Sequence, residues 1–191
     1  MPEYRRYYQP GGSYFFTVVT EGRAPILCTD RARPLLRHAI HEARKRLPFK
    51  IDAFVLLPDH LHAIWNLPVG NNDYSKRWSM IKRLFTQAWL GAGGNERRTS
   101  DSRDKNRRRG VWQRRFWEHL LRDEADFEKH CDYIHFNPVK HGHVTCPHAW
   151  PYSTYDRFVR EGYYAADWSC SCNGRLPKPP DFQRIETSVG E

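Results

Sequence analysis

The sequence predicts an α+β fold in which strands and helices follow one another in the order β-α-β-β-α-β, with a further helix after them. The prediction rests on short runs of β-branched and aromatic residues, two amphipathic stretches at helical spacing and a hairpin closed by Pro58-Asp59. This order is that of the ferredoxin-like arrangement, in which two helices cover one face of an antiparallel sheet.

Local patterns place the first five elements. Residues 13–20, 50–58 and 60–68 are rich in β-branched, aromatic and aliphatic side chains and predict strands. Residues 29–48 and 73–94 repeat apolar side chains every three or four positions and predict helices. A proline ends the first helical stretch and glycines end the second, which are typical stop signals.

The last strand and the third helix are expected in residues 111–121 and 122–137. Asp123 is suited to cap the amino end of that helix, because a short carboxylate can accept from the first free backbone N–H groups. Pro138 is expected to end the helix, since proline disfavours helical conformation in the residue before it.

Length and composition fit one domain. The chain has 191 residues, of which 39% are hydrophobic, enough for a substantial core. We expect residues 1–165 to form a single domain, with 94–110 as a flexible basic loop. Residues 166–191 contain few large apolar side chains and are expected to form a loosely held tail.

The charge balance favours a polyanionic partner. Lysine and arginine number 31 against 22 acidic residues, which gives a formal charge of +9 and an isoelectric point near 9.5. No apolar run approaches the roughly 18 residues that a membrane span needs, and the amino terminus lacks the apolar core of a signal peptide. We therefore expect a cytoplasmic protein with no membrane partner.

The five cysteines are expected to be ordinary thiols, because their number is odd and a reducing cytosol keeps thiols reduced. The pair in Cys170-Ser-Cys172 could be half of a zinc site, but the sequence offers no second half of matching spacing. The cysteines are Cys28, Cys131, Cys146, Cys170 and Cys172.

Two histidines at alternate positions stand out in the second strand of the hairpin. Strand side chains alternate between faces, so His60 and His62 project from one side while Leu61, Ala63 and Trp65 point to the other. Two neutral imidazoles on one face are suitable nitrogen ligands for a divalent metal. The alternative is a pair of hydrogen-bonded histidines on a solvated sheet face.

The third helix carries a second group of polar side chains. Tyr133 and Asn137 are one turn apart, off the apolar stripe, so their side chains meet. The pair is consistent with a nucleophile beside an oxygen ligand. The alternative is a surface tyrosine and an asparagine that caps the helix ahead of Pro138, and spacing alone favours that alternative.

Longer strings carry a family resemblance. The chain contains "LLPDHLHAIW", "WSMIKRLFT" and "VWQRRFWEHLLRDEADFEKHCDYIHFNPVKHG", in that order, after an opening "YRRYYQPGGSYFFTVVT". From about Tyr4 to Tyr155 it closely resembles the REP-associated tyrosine transposases, bacterial relatives of the single-tyrosine HUH transposases. The string "DYIHFNPVKHG" is highly specific, whereas a histidine pair alone is not.

The resemblance implies a metal-dependent nuclease and strand transferase. The family's HUH motif falls on His60-Leu61-His62, its nucleophile on Tyr133 and its third metal ligand on Asn137, where insertion-sequence relatives usually have glutamine. It implies a monomeric, nucleoid-associated protein that binds DNA hairpin repeats and cleaves the single-stranded flank through a 5′-phosphotyrosine. Two nitrogens and an amide oxygen suit Mn²⁺ better than Mg²⁺, although cellular abundance favours Mg²⁺, so both ions stay open.

Basic side chains near these motifs are expected to contact DNA phosphates, which gives affinity and salt dependence but no sequence choice. Tyr7, Tyr8 and Trp112 could stack on unpaired bases, with core packing an equal alternative. The expected phosphate contacts are Arg5, Arg6, Lys82, Arg83, Arg107, Arg108, Arg109, Arg114, Arg115 and Lys140.

Two other functions stay open from the sequence. A hairpin-repeat DNA-binding protein without catalysis would keep the fold but would not need the histidines, the tyrosine and the asparagine. An RNA-binding ferredoxin-like domain would expose aromatics on its central strands. The proton acceptor for the tyrosine is also undecided: His119 and His130 are candidates, with a structural role favoured for each.

Overall fold

A four-stranded antiparallel sheet forms the centre of the protein. The computed structural model describes residues 8–98, 109–171, 182–183 and 185–186. The sheet has the order β2-β3-β1-β4, and each neighbouring pair is antiparallel. The strands are β1 (Ser13–Val19), β2 (Lys50–Leu56), β3 (His60–Asn66) and β4 (Trp117–Leu120).

Two helices cover one face of this sheet. Helix α1 spans Ala32–Arg46 and helix α2 spans Tyr74–Gly91, so the predicted element order β-α-β-β-α-β is observed. Their apolar stripes pack on the β-strand side chains that point the same way, among them Leu61, Ala63 and Trp65 of β3. The prediction that these three residues face away from the histidines is confirmed, and burying that face drives much of the folding.

The opposite face is covered as well. Helix α3 (Glu124–Lys140) places Cys131 and Ile134 against Phe15 of β1 and Ile64 of β3. Because both faces are packed, the aromatic side chains of the central strand β1 are buried in the described part of the chain. This argues against the RNA-binding alternative, which needs such side chains exposed. A short helix α4 (Tyr155–Arg160) completes the second layer.

The third helix begins as predicted and ends later than predicted. Asp123 caps it, since its carboxylate accepts from the backbone N–H of Asp126 at 2.8 Å. Pro138 does not end the helix: it lies inside the last turn, where the missing proline N–H removes only one bond. The ladder resumes when the His141 N–H donates to the carbonyl of Asn137 at 3.0 Å.

The predicted strand at 111–121 is too long. Only Trp117–Leu120 pairs with β1, and Trp112 makes a single isolated bridge to Thr20. Arg114 and Arg115, between these two points, are exposed. The chain therefore touches the edge of β1 twice and leaves it in between.

One prediction about the cysteines is wrong. Cys146 and Cys170 are joined by a disulfide, because the fold brings together segments 24 residues apart, so they are not ordinary thiols here. Cys28 and Cys131 are free cysteines, as predicted. Phe182 and Ile185 are each only 4% exposed and pack in the second apolar layer. Most of the tail predicted for residues 166–191 lies outside the described residues, so its loose attachment stays a prediction. No helix among the described residues is long and apolar enough to cross a membrane.

Candidate functional site

The two histidines of β3 lie side by side in the interior. Their ring centroids are 4.9 Å apart, and the exposed fractions are 1% for His60 and 0% for His62. Both project toward helix α3, because alternate residues of a strand share a face. We call them the histidine pair. They do not lie on a solvated face, so the alternative of two hydrogen-bonded histidines on a solvated sheet face is wrong.

Each imidazole is held through its Nδ1 atom. His60 Nδ1 lies 2.6 Å from Asp59 Oδ1, and His62 Nδ1 lies 2.9 Å from Thr17 Oγ1. With the proton on Nδ1, each ring donates to its oxygen partner and presents the lone pair of a buried Nε2 toward α3. Such oxygen partners behind an imidazole fix its orientation and raise its basicity as a metal ligand.

Asp59 stays ionised in this setting. Burial alone would raise the pKa of its carboxyl, but hydrogen bonds from His60 and from the Arg23 guanidinium outweigh burial and hold the pKa below its usual range. Arg23 Nη1 lies 3.0 Å from Asp59 Oδ2. A carboxylate behind His60 therefore persists over the whole physiological pH range.

Helix α3 brings its polar face onto the histidine pair. The Tyr133 ring is 5.2 Å from the His62 ring, and the His141 ring is 5.2 Å from the His60 ring. Asn137 is four residues after Tyr133 and four before His141, so it occupies the same helix face between them. The structure thus brings together all four residues that the sequence singled out.

The side chain of Asn137 is the most unusual feature of the site. The residue is 0% exposed, and neither Oδ1 nor Nδ2 has a hydrogen-bond partner in the part of the chain that the structure describes. A buried amide without partners costs about 1–3 kcal/mol. Two imidazole nitrogens on β3 and an amide oxygen on the helix face opposite are ligands that a divalent cation accepts, and such an ion would give this oxygen a partner.

Tyr133 is enclosed. It is 1% exposed, and its ring packs edge-on against Phe15 at 5.9 Å and Phe182 at 5.2 Å. Lys140 Nζ donates to the phenolic oxygen at 3.3 Å and also pairs with Glu186 Oε1 at 3.2 Å. The phenol therefore has a cation beside its oxygen and a tail residue against its ring.

His119 and His130 form a separate cluster around Asp126. His119 Nε2 lies 2.9 Å from Asp126 Oδ2, and His130 Nδ1 lies 2.7 Å from the Asp126 carbonyl oxygen. Burial lowers the pKa of His130 to about 4, so it is neutral at pH 7. Arg122 Nε shares the same carboxylate at 3.0 Å. These bonds support the structural role over proton transfer from Tyr133.

Replacing Asp126 by asparagine should lower stability and flatten its dependence on acid pH. Burial would raise the pKa of Asp126, but hydrogen bonds from His119 and Arg122 bring it from 3.8 to about 2. A carboxyl whose pKa is lower in the folded state stabilises above the unfolded pKa, and this is lost as pH falls from about 4 to 2. Thermal unfolding measured from pH 7 to pH 2 should show that the free energy of unfolding of the variant is about 1–3 kcal/mol below that of the native chain at neutral pH. An unchanged pH profile in Asp126→Asn would contradict this.

The predicted DNA contacts are scattered over several elements. Arg83, Arg114 and Arg115 are exposed, while Lys82 donates to the Gln113 carbonyl at 2.9 Å. Arg109 forms hydrogen bonds with both carboxylate oxygens of Glu96, so its charge is offset within the basic loop. The remaining candidates, Arg5, Arg6, Arg107 and Arg108, lie outside the described residues, as does Tyr7.

The predicted stacking aromatics are divided between core and surface. Trp112 is 5% exposed and belongs to the core, whereas Tyr8 is 46% exposed and stacks on Tyr74 at 5.0 Å. Tyr8 is the better placed of the two to meet a base.

Three residues of the site escaped sequence reasoning. Thr17, Asp59 and His141 each touch one histidine, and only Asp59 is adjacent to its partner in the chain. The signal for Thr17 was a polar residue inside an otherwise apolar strand. For His141 it was the four-residue spacing from Asn137, which continues one helix face.

Fold and site together define an α+β protein in which a tyrosine-bearing helix lies against two buried histidines. No family model matches the chain. Its sequence is 44% identical over 169 residues to the REP-associated tyrosine transposase of Escherichia coli K12, covering 88% of this chain and 92% of that protein. A Haemophilus influenzae relative is 40% identical over 168 residues, with 88% and 93% covered.

A solved structure agrees with the sequence comparison. A REP-associated tyrosine transposase bound to a REP hairpin superposes with a TM-score of 0.74 at 44% identity, covering 88% of this chain and 91% of that one. The chain belongs to the family of REP-associated tyrosine transposases. The family predicted from the sequence strings is therefore confirmed.

Proposed function

We propose that the protein is a metal-dependent single-strand DNA endonuclease and strand transferase that recognises REP-type hairpins and works through a 5′-phosphotyrosine. The observation that carries the proposal is the buried amide of Asn137, which has no hydrogen-bond partner among the described residues and lies on the helix face between Tyr133 and His141. Binding to a hairpin repeat requires none of these groups in the interior. The relative solved with a REP hairpin supports hairpin repeats as the DNA.

Tyr133 is the proposed nucleophile. Its phenolic oxygen would form a bond to the scissile phosphorus as the bond to the leaving 3′-oxygen breaks, giving a 5′-phosphotyrosine and a free 3′-hydroxyl. The phenolic proton leaves during attack. Because the phosphodiester energy is kept in the covalent link, a second 3′-hydroxyl could reverse the step and join strands without a nucleotide cofactor.

His60, His62 and Asn137 are the proposed ligands of a Mg²⁺ or Mn²⁺ ion. Bound there, such an ion would supply positive charge to offset the charge of a phosphodiester and help to orient it. Thr17 and Asp59 orient the two imidazoles through hydrogen bonds to Nδ1. Asn137 is buried, and its amide has no competing hydrogen-bond partner among the described residues. Asp59 also adds negative charge behind His60, which favours a cation.

The remaining predictions belong to the same proposal. The observed order of elements and strands supports assigning the sheet and its two helices to the ferredoxin-like arrangement. Residues 1–165 would act as one catalytic domain, and the protein would be a cytoplasmic, nucleoid-associated monomer. Arg83, Arg114, Arg115 and Lys140 would contact DNA phosphates beside the site, with a single-stranded flank entering next to Tyr133.

Peptide mapping of a covalent complex tests this proposal. The native chain is incubated with a labelled REP hairpin carrying a single-stranded flank, with Mn²⁺ or Mg²⁺, and the denatured adduct is digested and analysed by mass spectrometry. We expect a metal-dependent adduct in which Tyr133 carries the nucleotide. Hairpin binding with no adduct in either metal, even after the tail is loosened as described below, would leave a non-catalytic hairpin-binding protein.

The Lys140 ammonium is placed to help ionise Tyr133, because a cation near the phenolic oxygen favours the phenolate. Lys140→Met should slow adduct formation about tenfold at pH 7. The rate for this variant should approach the native rate as the pH rises toward the ordinary tyrosine pKa of ~10. Lys140→Arg, which keeps the charge, should stay close to the native rate. Parallel pH profiles for Lys140→Met and the native chain would assign Lys140 to DNA binding alone.

Phe182 is 4% exposed and its ring packs on the ring of Tyr133. Phe182 must therefore move away before DNA can reach the phenol. Phe182→Ala removes this contact and so destabilises the state in which the tail covers Tyr133. A destabilisation of ~1.4 kcal/mol should raise the rate of adduct formation at least about tenfold. Phe158→Ala is the matched control, because that phenylalanine is equally buried in the same layer but packs on His135. An equal effect of both variants would show general loosening.

A further inference from the structure

The fold supplies the second half of a zinc motif that the sequence lacked. Ser171 donates to the carbonyl of Thr145 from its N–H at 3.4 Å and from its Oγ at 2.9 Å, so the segments around Cys146 and Cys170 lie side by side. His148, in the short 3-10 helix Pro147–Ala149, lies beside them. The ligand atoms of Cys146, His148 and Cys170 all lie within 4.8 Å of one another.

This cluster contains more than a disulfide requires. Cys146 and Cys170 are 2% and 9% exposed, whereas His148 is exposed at the rim. A disulfide uses two sulfurs and leaves the imidazole without a role. Two thiolates and an imidazole are donors that Zn²⁺ prefers, and in the reduced protein they would supply three of its four ligands. Cys146 and His148 form a Cys-x-His pair, which a search for paired cysteines in the sequence does not find.

We propose that Cys146, His148 and Cys170 bind Zn²⁺ when the two cysteines are reduced. A dithiol or phosphine reductant converts the disulfide to two thiols and is itself oxidised. Zn²⁺ then displaces one proton from each thiol and accepts the lone pair of the neutral imidazole. One tetrahedral position stays available for a further ligand.

The zinc would hold the segment after α3 to residues 170–171, closing a loop that contains α4. It would tie these two segments together, independent of the proposed nuclease chemistry. The two sites also select differently: the histidine pair and Asn137 offer harder ligands suited to Mn²⁺ or Mg²⁺, and the thiolates favour zinc.

Metal analysis of the full chain tests this proposal. The protein is reduced with a phosphine, dialysed against Zn²⁺ and then against buffer, and its zinc is measured by plasma mass spectrometry. We expect about one zinc per chain. The zinc content should fall to background in Cys146→Ser, His148→Ala and Cys170→Ser. Zinc should also raise the unfolding temperature of the reduced native chain and of no such variant.

Two controls separate this site from others. Cys28→Ser removes a free cysteine elsewhere in the fold and should keep its zinc. His62→Ala disables the proposed nuclease site and should also keep it, so loss of nuclease activity does not affect the result. If reduced native protein holds no more zinc than Cys146→Ser, or loses its zinc in His62→Ala, the proposal is wrong. A cobalt-substituted native chain should show a sulfur-to-metal charge-transfer band that Cys170→Ser lacks.

Discussion

The Tyr133→Phe variant is expected to bind the REP hairpin as tightly as the native chain and to form no covalent adduct. The substitution removes one oxygen and keeps the ring contacts with His62 and Phe15. The fold and the DNA surface should therefore change little. Without the phenolic oxygen no phosphodiester can be transferred to the protein, so adduct formation should fall by at least about three orders of magnitude.

Two measurements on the same hairpin distinguish the outcomes. Titration gives the affinity, and a denaturing gel gives the adduct. Tyr163→Phe is the matched control, because that tyrosine is 70% exposed and belongs to no part of the site. Equal adduct in Tyr133→Phe and Tyr163→Phe would move the nucleophile elsewhere. Loss of hairpin affinity in Tyr133→Phe alone would assign the phenol to DNA binding.

Much of the fold was predictable because local patterns agreed with the tertiary structure. The alternation in β3 placed Leu61 and Trp65 in the core and the histidine pair on the other face, which is what packing requires. The Asp123 cap was equally local, since donor and acceptor are three residues apart. Such signals act within one turn or one strand, so the sequence reveals them directly.

What was not predictable depends on distant partners. Arg77 is 1% exposed in helix α2, held by Asn71 Oδ1 at 2.7 Å and the Pro48 carbonyl at 2.8 Å, and no pattern distinguishes it from a surface arginine. Thr17 meets His62 only because β1 and β3 pair in that register. The Cys146–Cys170 contact depends in the same way on how the chain returns after α4.

The site shows the same division. Sequence strings identified the histidine pair, Tyr133 and Asn137, but spacing favoured a surface tyrosine and a capping asparagine. The opposite is found, since both are buried. The helix runs past Pro138, and Asn137 therefore lies inside the last turn with its amide facing inward. A proline near a helix end misled the prediction because it costs one hydrogen bond there and no more.

Asn137→Leu is expected to make the protein more stable and less active at once. Leucine has the same number of side-chain heavy atoms in the same branched arrangement, and it removes a buried amide whose two polar atoms have no hydrogen-bond partner in the described part of the chain. Relieving that penalty should raise the free energy of unfolding by about 1–3 kcal/mol without added metal. Loss of a proposed metal ligand should lower the rate of adduct formation at least about 100-fold.

The opposite signs of these two effects separate a functional asparagine from a structural one. If the amide only packed or capped the helix, Asn137→Leu would lower the free energy of unfolding. The rate of DNA cleavage would then fall only as far as the fraction of folded protein falls. Asn66→Leu is the control for added hydrophobicity, because Asn66 is exposed at the end of β3. Thermal unfolding without metal, followed by unfolding with Mn²⁺, completes the test. Mn²⁺ should raise the unfolding temperature of the native chain and leave Asn137→Leu nearly unchanged, since a ligand stabilises only the state that binds it.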